Sequence, residues 1–195
     1  QRMLSGRRLD LLDPSPLDIE IDDIAHGLAR VARWNGQTTG EYAFSVAQHC
    51  VVVEEICGLI TPALSPEKRL TALLHDAPEY VIGDMISPFK SALGIDYRKF
   101  EDRLEAAIHL RFGLPAKTPV QVKKLIKKAD HISAYHEAVQ IAGFDHTEAM
   151  RLFGRPGSLD QIDITPLPTT KAQQLFLDRF ELLLQKVDAS SKKER

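Results

Sequence analysis

The helical spacing of apolar residues constrains this chain more than any other sequence feature. The long segments repeat apolar residues every three or four positions, whereas the strict alternation typical of strands is scarce. Two segments also carry a cap residue followed by proline, Ser65-Pro66 and Thr118-Pro119, which marks a helix start. The pattern therefore predicts an all-α fold.

The same spacing sets the expected domain organisation. With 195 residues, one domain spanning 1–195 is the expectation. We expect its core over about 20–145, a C-terminal helix over about 170–188 and a frayed tail over 189–195. Residues 155–168 are predicted to be a surface loop, and residues 38–42 are the one place where the pattern allows a short strand pair. The predicted helices, six or more in number, include 24–33, 44–59, 65–77, 97–112, 119–141 and 170–188.

Charge and composition exclude several classes of partner. The formal net charge is −2, which gives no electrostatic reason to expect nucleic acid or an anionic membrane as a partner. No stretch approaches the roughly 18 to 20 apolar residues of a membrane span, and the N-terminal residues lack the apolar part of a signal peptide. Cys50 and Cys57 lie on one predicted helix, about 10 Å apart along its axis and too far for a disulfide. Two thiols suit a reducing compartment, so we expect a cytoplasmic protein.

Four ionisable residues occupy inward or near-inward positions on three predicted helices: His49, His75, Asp76 and Asp130. Each one alone is more often a core residue satisfied by a local hydrogen bond. Together, two imidazoles and two carboxylates form a mixed nitrogen and oxygen set that suits one divalent metal ion. These ligand types accept Co, Mn, Mg, Fe, Ni or Zn and do not identify the metal.

Glu79 adds a further carboxylate to this set. It lies four residues after His75 and three after Asp76, hence on the same helical face. Pro78 cannot donate a backbone hydrogen bond to Leu74, so the helix kinks or stops there. Metal sites that keep a position open for water perform chemistry, and a neighbouring carboxylate orients that water or takes its proton.

The pattern His49, His75-Asp76 and Asp130 resembles the HD-domain metal-dependent phosphohydrolase superfamily, whose signature is H…HD…D on an all-α bundle. Further motifs are similar to the branch of bacterial 5′-nucleotidases and deoxynucleotidases and to related uncharacterised HD hydrolases. The resemblance covers roughly residues 20–145. The matching motifs are Arg33-Trp34, HDxxE at 75–79, Gly83-Asp84, Pro88-Phe89-Lys90 and KKADHISAY at 127–135.

This resemblance implies a role for each matching residue. Arg33 would bind the phosphate, and Trp34 would line the sugar pocket and disfavour a 2′-hydroxyl. Glu79 would handle the proton of the attacking water, Asp84 would position water or the leaving oxygen, and Lys90 would add phosphate affinity. The implied fold is a single-domain HD-type helical bundle, and family members often form dimers, which implies a homodimer.

The expected function is hydrolysis of the phosphomonoester of nucleoside or deoxynucleoside 5′-monophosphates, with a nucleotide as the small-molecule partner. Two alternatives stay open: a hydrolase of a nucleoside triphosphate or another phosphate ester, and a regulatory HD module without turnover. The basic run on the helix before Asp130 is typical of a solvated face, and its alternative is attraction of phosphate substrates. Its members are Lys123, Lys124, Lys127 and Lys128.

Overall fold

The protein is a bundle of α-helices, as the spacing predicts. The computed structural model describes residues 1–84, 95–159 and 161–193, and within those ranges it contains no strand. The all-α prediction is confirmed. The helices are α1 (Ile21–Leu28), α2 (Val46–Ile60), α3 (Pro66–Leu73), α4 (Glu79–Ile82), α5 (Ile95–Arg111), α6 (Val120–Gln140), α7 (His146–Phe153) and α8 (Thr169–Lys193), and short 3-10 helices cover Pro16–Asp18 and Arg33–Gly36.

Helix α2 lies at the centre of the bundle. It packs against α3, α6 and α8, and most of its residues are buried. One hydrophobic cluster joins α2 to α1, α3 and α8, while a second joins α2 to α3 and α6. Because α2 is covered on several sides, a polar side chain such as His49 is carried into the interior, where it is fully buried.

The predicted helix over 65–77 divides at the position that carries the candidate ligands. Helix α3 begins at Pro66 and ends at Leu73, and α4 begins at Glu79. The backbone between them forms turns, in which the N–H of Ala77 donates to the carbonyl of Leu74. Pro78 has no N–H to continue the helix, so the helix is interrupted before a new one begins at Glu79.

Two expectations about secondary structure are wrong, and one helix is longer than expected. Among the described residues, 38–42 form bends and no strand pair, and Gly40 has φ +102°. An isolated bridge joins Ala32 and Ser45 on either side of the segment. The predicted helix 24–33 ends at Leu28. Helix α8, expected over about 170–188, continues to Lys193.

Helix α7 was not predicted from the sequence. Its N-cap is Asp145, whose side chain accepts a hydrogen bond from the backbone N–H of Glu148 at 2.8 Å. This cap is a recognised start signal, but the helix is only eight residues long and ends at Phe153, with Gly154 as its C-cap. None of the described helices is long and apolar enough to cross a membrane. Cys50 and Cys57 are buried free thiols, as expected.

Candidate metal centre

The structure brings the four predicted metal ligands together at one point. The Nε2 atom of His49 lies 3.5 Å from Oδ2 of Asp76 and 3.4 Å from Oδ1 of Asp130. The Nε2 atom of His75 lies 3.1 Å from the same Asp76 oxygen. One ligand atom from each of His49, His75 and Asp130 lies within 4.8 Å of the others, a spacing that a single metal ion can bridge. We call these four residues the candidate metal centre.

Each imidazole is oriented so that its Nε2 faces this point. The Nδ1 atom of His49 lies 2.7 Å from Oε1 of Glu137, and Nδ1 of His75 lies 2.9 Å from the carbonyl oxygen of Ala72. These acceptors bind a proton on Nδ1, so Nε2 is the nitrogen that a metal ion can take in exchange for a proton. Both Nε2 atoms are buried, and within the described part of the chain their contacts with the carboxylates lack hydrogen-bond geometry. Buried nitrogens of this kind fit a metal ion, which supplies the missing partner.

Opposite charges face one another in the candidate metal centre. Burial lowers the pKa of His49, but the carboxylates beside it, above all Glu137, raise it well above its usual value. Burial raises the pKa of Asp76, but His75 and His49 lower it well below its usual value. The carboxylates are therefore ionised at neutral pH, and a divalent cation would bind them in place of the imidazole protons.

Glu137 is a residue of the site that the sequence analysis missed. Its side chain is completely buried on α6. One carboxylate oxygen accepts from Ser133 Oγ at 2.7 Å and contacts His49, while the other accepts from Trp34 Nε1 at 2.8 Å and from Arg33 Nε at 3.2 Å. Burial raises the pKa of Glu137, but Arg33 and His49 lower it well below its usual value. A signal was present in the sequence, because Asp130, Ser133 and Glu137 are spaced by three and four and share one face of α6.

Arg33 and Trp34 are linked to the candidate metal centre through Glu137. Burial lowers the pKa of Arg33, but Glu137 and Asp84 raise it, so the guanidinium is cationic. The Trp34 indole packs against Phe144 and Phe153, with ring centroids 5.6 and 5.8 Å away. Trp34 adopts φ 57°, a left-handed conformation that turns the chain sharply beside the site. Its predicted contact with a sugar stays a prediction.

The remaining predicted residues follow the turn after α3. Glu79 is the first residue of α4 and is 2% exposed, and its backbone N–H donates to the carbonyl of Asp76 at 3.0 Å. Asp84 follows Gly83, and its Oδ2 lies 3.5 Å from Nη1 of Arg33. Lys90 lies outside the described residues.

A cavity of about 320 Å³ opens onto the candidate metal centre; we call it the metal cavity. His75, Asp76 and Asp130 form part of its wall. Its other described walls come from α3, α5 and α6 and combine acidic and basic side chains, so the ligands are accessible to a small polar molecule. These side chains are Thr71, Pro78, Glu101, Asp102, Glu105, Thr118, Lys123, Ile126 and Lys127.

The fold and the site define an all-α protein with a His/Asp cluster that fits a metal ion. The chain is 58% identical over 186 residues to the uncharacterised protein RCAP_rcc00048 of Rhodobacter capsulatus, covering 94% of this chain and 95% of that protein. It is 33% identical over 163 residues to the uncharacterised protein YfdR of Escherichia coli, covering 84% and 83% respectively. No protein-family model matches the chain. The chain belongs to the family of these two proteins.

Proposed function

We propose that the protein is an HD-domain metal-dependent phosphohydrolase that converts nucleoside or deoxynucleoside 5′-monophosphates to nucleoside and phosphate. The observation that supports this most is the convergence of His49, His75, Asp76 and Asp130, with two buried imidazole nitrogens that face one point and whose contacts in the described chain lack hydrogen-bond geometry. The resemblance of the surrounding motifs to nucleotidases of the superfamily supports the choice of substrate.

The protein side chains divide the work of hydrolysis between them. His49, His75, Asp76 and Asp130 would hold a divalent ion, which when bound polarises a phosphoryl oxygen and lowers the pKa of water. In our proposal Glu79 accepts the proton of the attacking water, because a buried carboxylate one turn from Asp76 can act as a general base. Asp84 would position the leaving oxygen.

Arg33 would offset the charge of the phosphate. Its raised pKa keeps the guanidinium charged, and the contact between Arg33 Nη1 and Asp84 Oδ2 is 3.5 Å, at the long limit of a hydrogen bond. A phosphate oxygen can therefore compete with Asp84 for this donor. The opposite edge of the guanidinium stays bound to Glu137 through Nε, so the side chain is oriented in advance.

A phosphate-release screen tests this proposal. Purified protein would be incubated with ribo- and deoxynucleoside 5′-monophosphates and triphosphates, with Co, Mn, Mg and Zn supplied separately. We expect orthophosphate release from monophosphates that requires a metal and is lost in Asp130→Ala. Release of pyrophosphate or tripolyphosphate would point instead to a triphosphate substrate, and metal binding without turnover across the panel would indicate a regulatory module.

We further propose a cytoplasmic location and a homodimer. The buried free thiols Cys50 and Cys57 support a reducing compartment, since neither is paired. Only the family resemblance supports the proposed homodimer. Sedimentation equilibrium of the purified chain would test it by measuring the mass in solution.

A further inference from the structure

A second and larger cavity lies next to the candidate metal centre. It measures about 750 Å³ and is bounded by the C-terminal end of α2, the middle of α6, the end of α7 and the loop 155–159. We call it the basic cavity. Lys127 lines both this cavity and the metal cavity, and its Nζ lies 3.9 Å from Oδ2 of Asp130. The two cavities are therefore neighbours along α6.

Four cationic side chains line the basic cavity: Lys124, Lys127, Lys128 and Arg155. None of the described residues in its wall is acidic, and within the described chain Lys124, Lys128 and Arg155 form no ion pair. Lys124 and Lys128 are four residues apart on α6, a spacing at which like charges repel. A multiply charged anion in the cavity would relieve this repulsion.

Part of the wall of the basic cavity is apolar. It is formed by Leu59, Ile60, Ile132, Phe153 and Leu159. Leu59 is 55% exposed although it belongs to a helix that is otherwise largely buried. A ligand that fills this cavity therefore gains from carrying an aromatic or other apolar part beside its negative charges.

The loop wall of the basic cavity is held in place by side-chain hydrogen bonds from α6. His136 Nε2 donates to the carbonyl of Leu159 at 2.7 Å. Gln140 Nε2 donates to the carbonyl of Ile162 at 2.6 Å, and Gln140 Oε1 accepts from the N–H of Ile164 at 3.0 Å. These bonds anchor the loop wall at Leu159 and the backbone at Ile162 and Ile164 to α6.

We propose that the basic cavity binds an organic polyphosphate, a molecule with at least two phosphate groups and an aromatic or apolar part, the class to which nucleoside diphosphates and triphosphates belong. Four cations match several phosphate groups, and the apolar wall matches a base. The volume of about 750 Å³ falls within the range of about 300 to 1,000 Å³ that small-molecule sites occupy. This site is separate from the candidate metal centre and does not depend on the function proposed for that centre.

Calorimetric titration of the full chain in EDTA tests this site. The probes are adenosine, its mono-, di- and triphosphate, guanosine triphosphate and inorganic tripolyphosphate. We expect the triphosphates to bind at least about tenfold more tightly than the monophosphate, since each charged contact contributes on that scale. Adenosine should not bind. Inorganic tripolyphosphate binding as tightly as the nucleotides would overturn the role of the apolar wall.

Variants locate the binding. Arg155→Ala and Lys128→Ala should each weaken triphosphate binding about tenfold, while Lys171→Ala, an exposed lysine on α8, should leave it unchanged. All three positions are exposed, and circular dichroism would verify folding. Unchanged affinity in both cavity variants would overturn the proposal.

A background variant separates this site from the candidate metal centre. Asp130→Ala removes a candidate metal ligand and with it the proposed hydrolysis. Triphosphate binding measured in this variant therefore does not depend on whether the proposed hydrolysis is correct. Triphosphate binding should persist in it, because the cationic wall is intact. Loss of triphosphate binding in Asp130→Ala would assign the triphosphate to the metal cavity. A short single-stranded RNA that binds as tightly as the triphosphates would indicate a nucleic-acid surface instead of a small-molecule site. Either result would overturn the proposal.

Discussion

The Glu137 carboxylate joins two groups of residues that are far apart in the sequence. One oxygen contacts His49 and Ser133, and the other accepts hydrogen bonds from Arg33 and Trp34. The orientation of a candidate metal ligand and the position of the Arg-Trp pair therefore depend on the same buried anion. Partners of this kind, which bind the second nitrogen of a ligand histidine, raise its basicity and fix its ring.

Replacing this carboxylate by an amide tests its role. Glu137→Gln keeps the shape but gives His49 Nδ1 a weaker acceptor and leaves Arg33 without its buried counter-charge. We expect metal affinity to fall about 10- to 100-fold, measured by competition with a chromogenic chelator. Glu181→Gln, at an exposed position on α8, is the matched control and should bind metal normally.

A pH series distinguishes the charge of Glu137 from its shape. The pKa of Glu137 is lowered from an ordinary value of 4.5, so its charge contributes stability that is complete above that value and is lost as pH falls through the folded-state pKa. The difference in unfolding free energy between the native chain and Glu137→Gln should therefore shrink as pH falls below 4.5. The role of the Glu137 charge would be contradicted if Glu137→Gln folds and binds metal with unaltered affinity. A difference in unfolding free energy that stays constant below pH 4.5 would also contradict it.

Single residues also explain what the sequence could and could not predict. His49 and Asp130 are recognisable because each is an ionisable group at the edge of an apolar stripe, and such a group needs a partner. The bond between Arg33 and Glu137 spans 104 residues, and no local pattern encodes a contact over that separation. The left-handed φ of Trp34, at 57°, is equally invisible, since tryptophan has no preference for that conformation.

At the scale of elements, the sequence predicts the features that depend on local residues, such as helix ends. It does not predict the features that depend on tertiary contacts. Pro78 predicts that the helix before it ends near His75 and Asp76, because the missing N–H is a local property. The segment around Gly40 is held differently: the N–H of Thr39 donates to the carbonyl of Ile141 at 2.8 Å, a distant partner that replaces the expected strand pairing. Packing against α6 therefore overrides a weak local preference.

A cluster of ion pairs around a buried glutamate joins three helices. Glu54 on α2 is fully buried and contacts Arg69 on α3 and Arg179 on α8, the latter at 2.5 Å. Glu54→Gln removes the charge that both arginines share and leaves them partly desolvated. We expect the free energy of unfolding to fall by about 3 to 5 kcal/mol, measured by urea denaturation.

The neighbouring residue provides the control for this change. Glu55 also contacts Arg179, but its side chain is 48% exposed. Glu55→Gln should change the unfolding free energy by less than about 1 kcal/mol, because water screens an exposed pair. Equal losses in the two variants would mean that burial of Glu54 does not set the strength of this cluster.

At the scale of the whole molecule, the candidate metal centre connects elements that are distant in the chain. His49 comes from α2, His75 and Asp76 from the turn after α3, and Asp130 from α6. Helix α2 packs on both α3 and α6, so a bound ion would fix three segments around the central helix at once. Because an unfolded chain does not bring these ligands together, metal binding and folding are thermodynamically linked.

This linkage predicts that metal raises the melting temperature of the whole chain. A ligand at 100 times its Kd adds about 2.7 kcal/mol, and a domain of this size gains about 2 to 4 °C per kcal/mol, so Tm should rise by about 5 to 10 °C. EDTA should reverse the rise, and Asp130→Ala should retain its helicity by circular dichroism but show no shift. An equal rise in the melting temperature of Asp130→Ala would place the stabilising ion elsewhere. A site built from three separate segments that loses the ligand of one segment binds metal more weakly, so the metal stabilises the folded chain less.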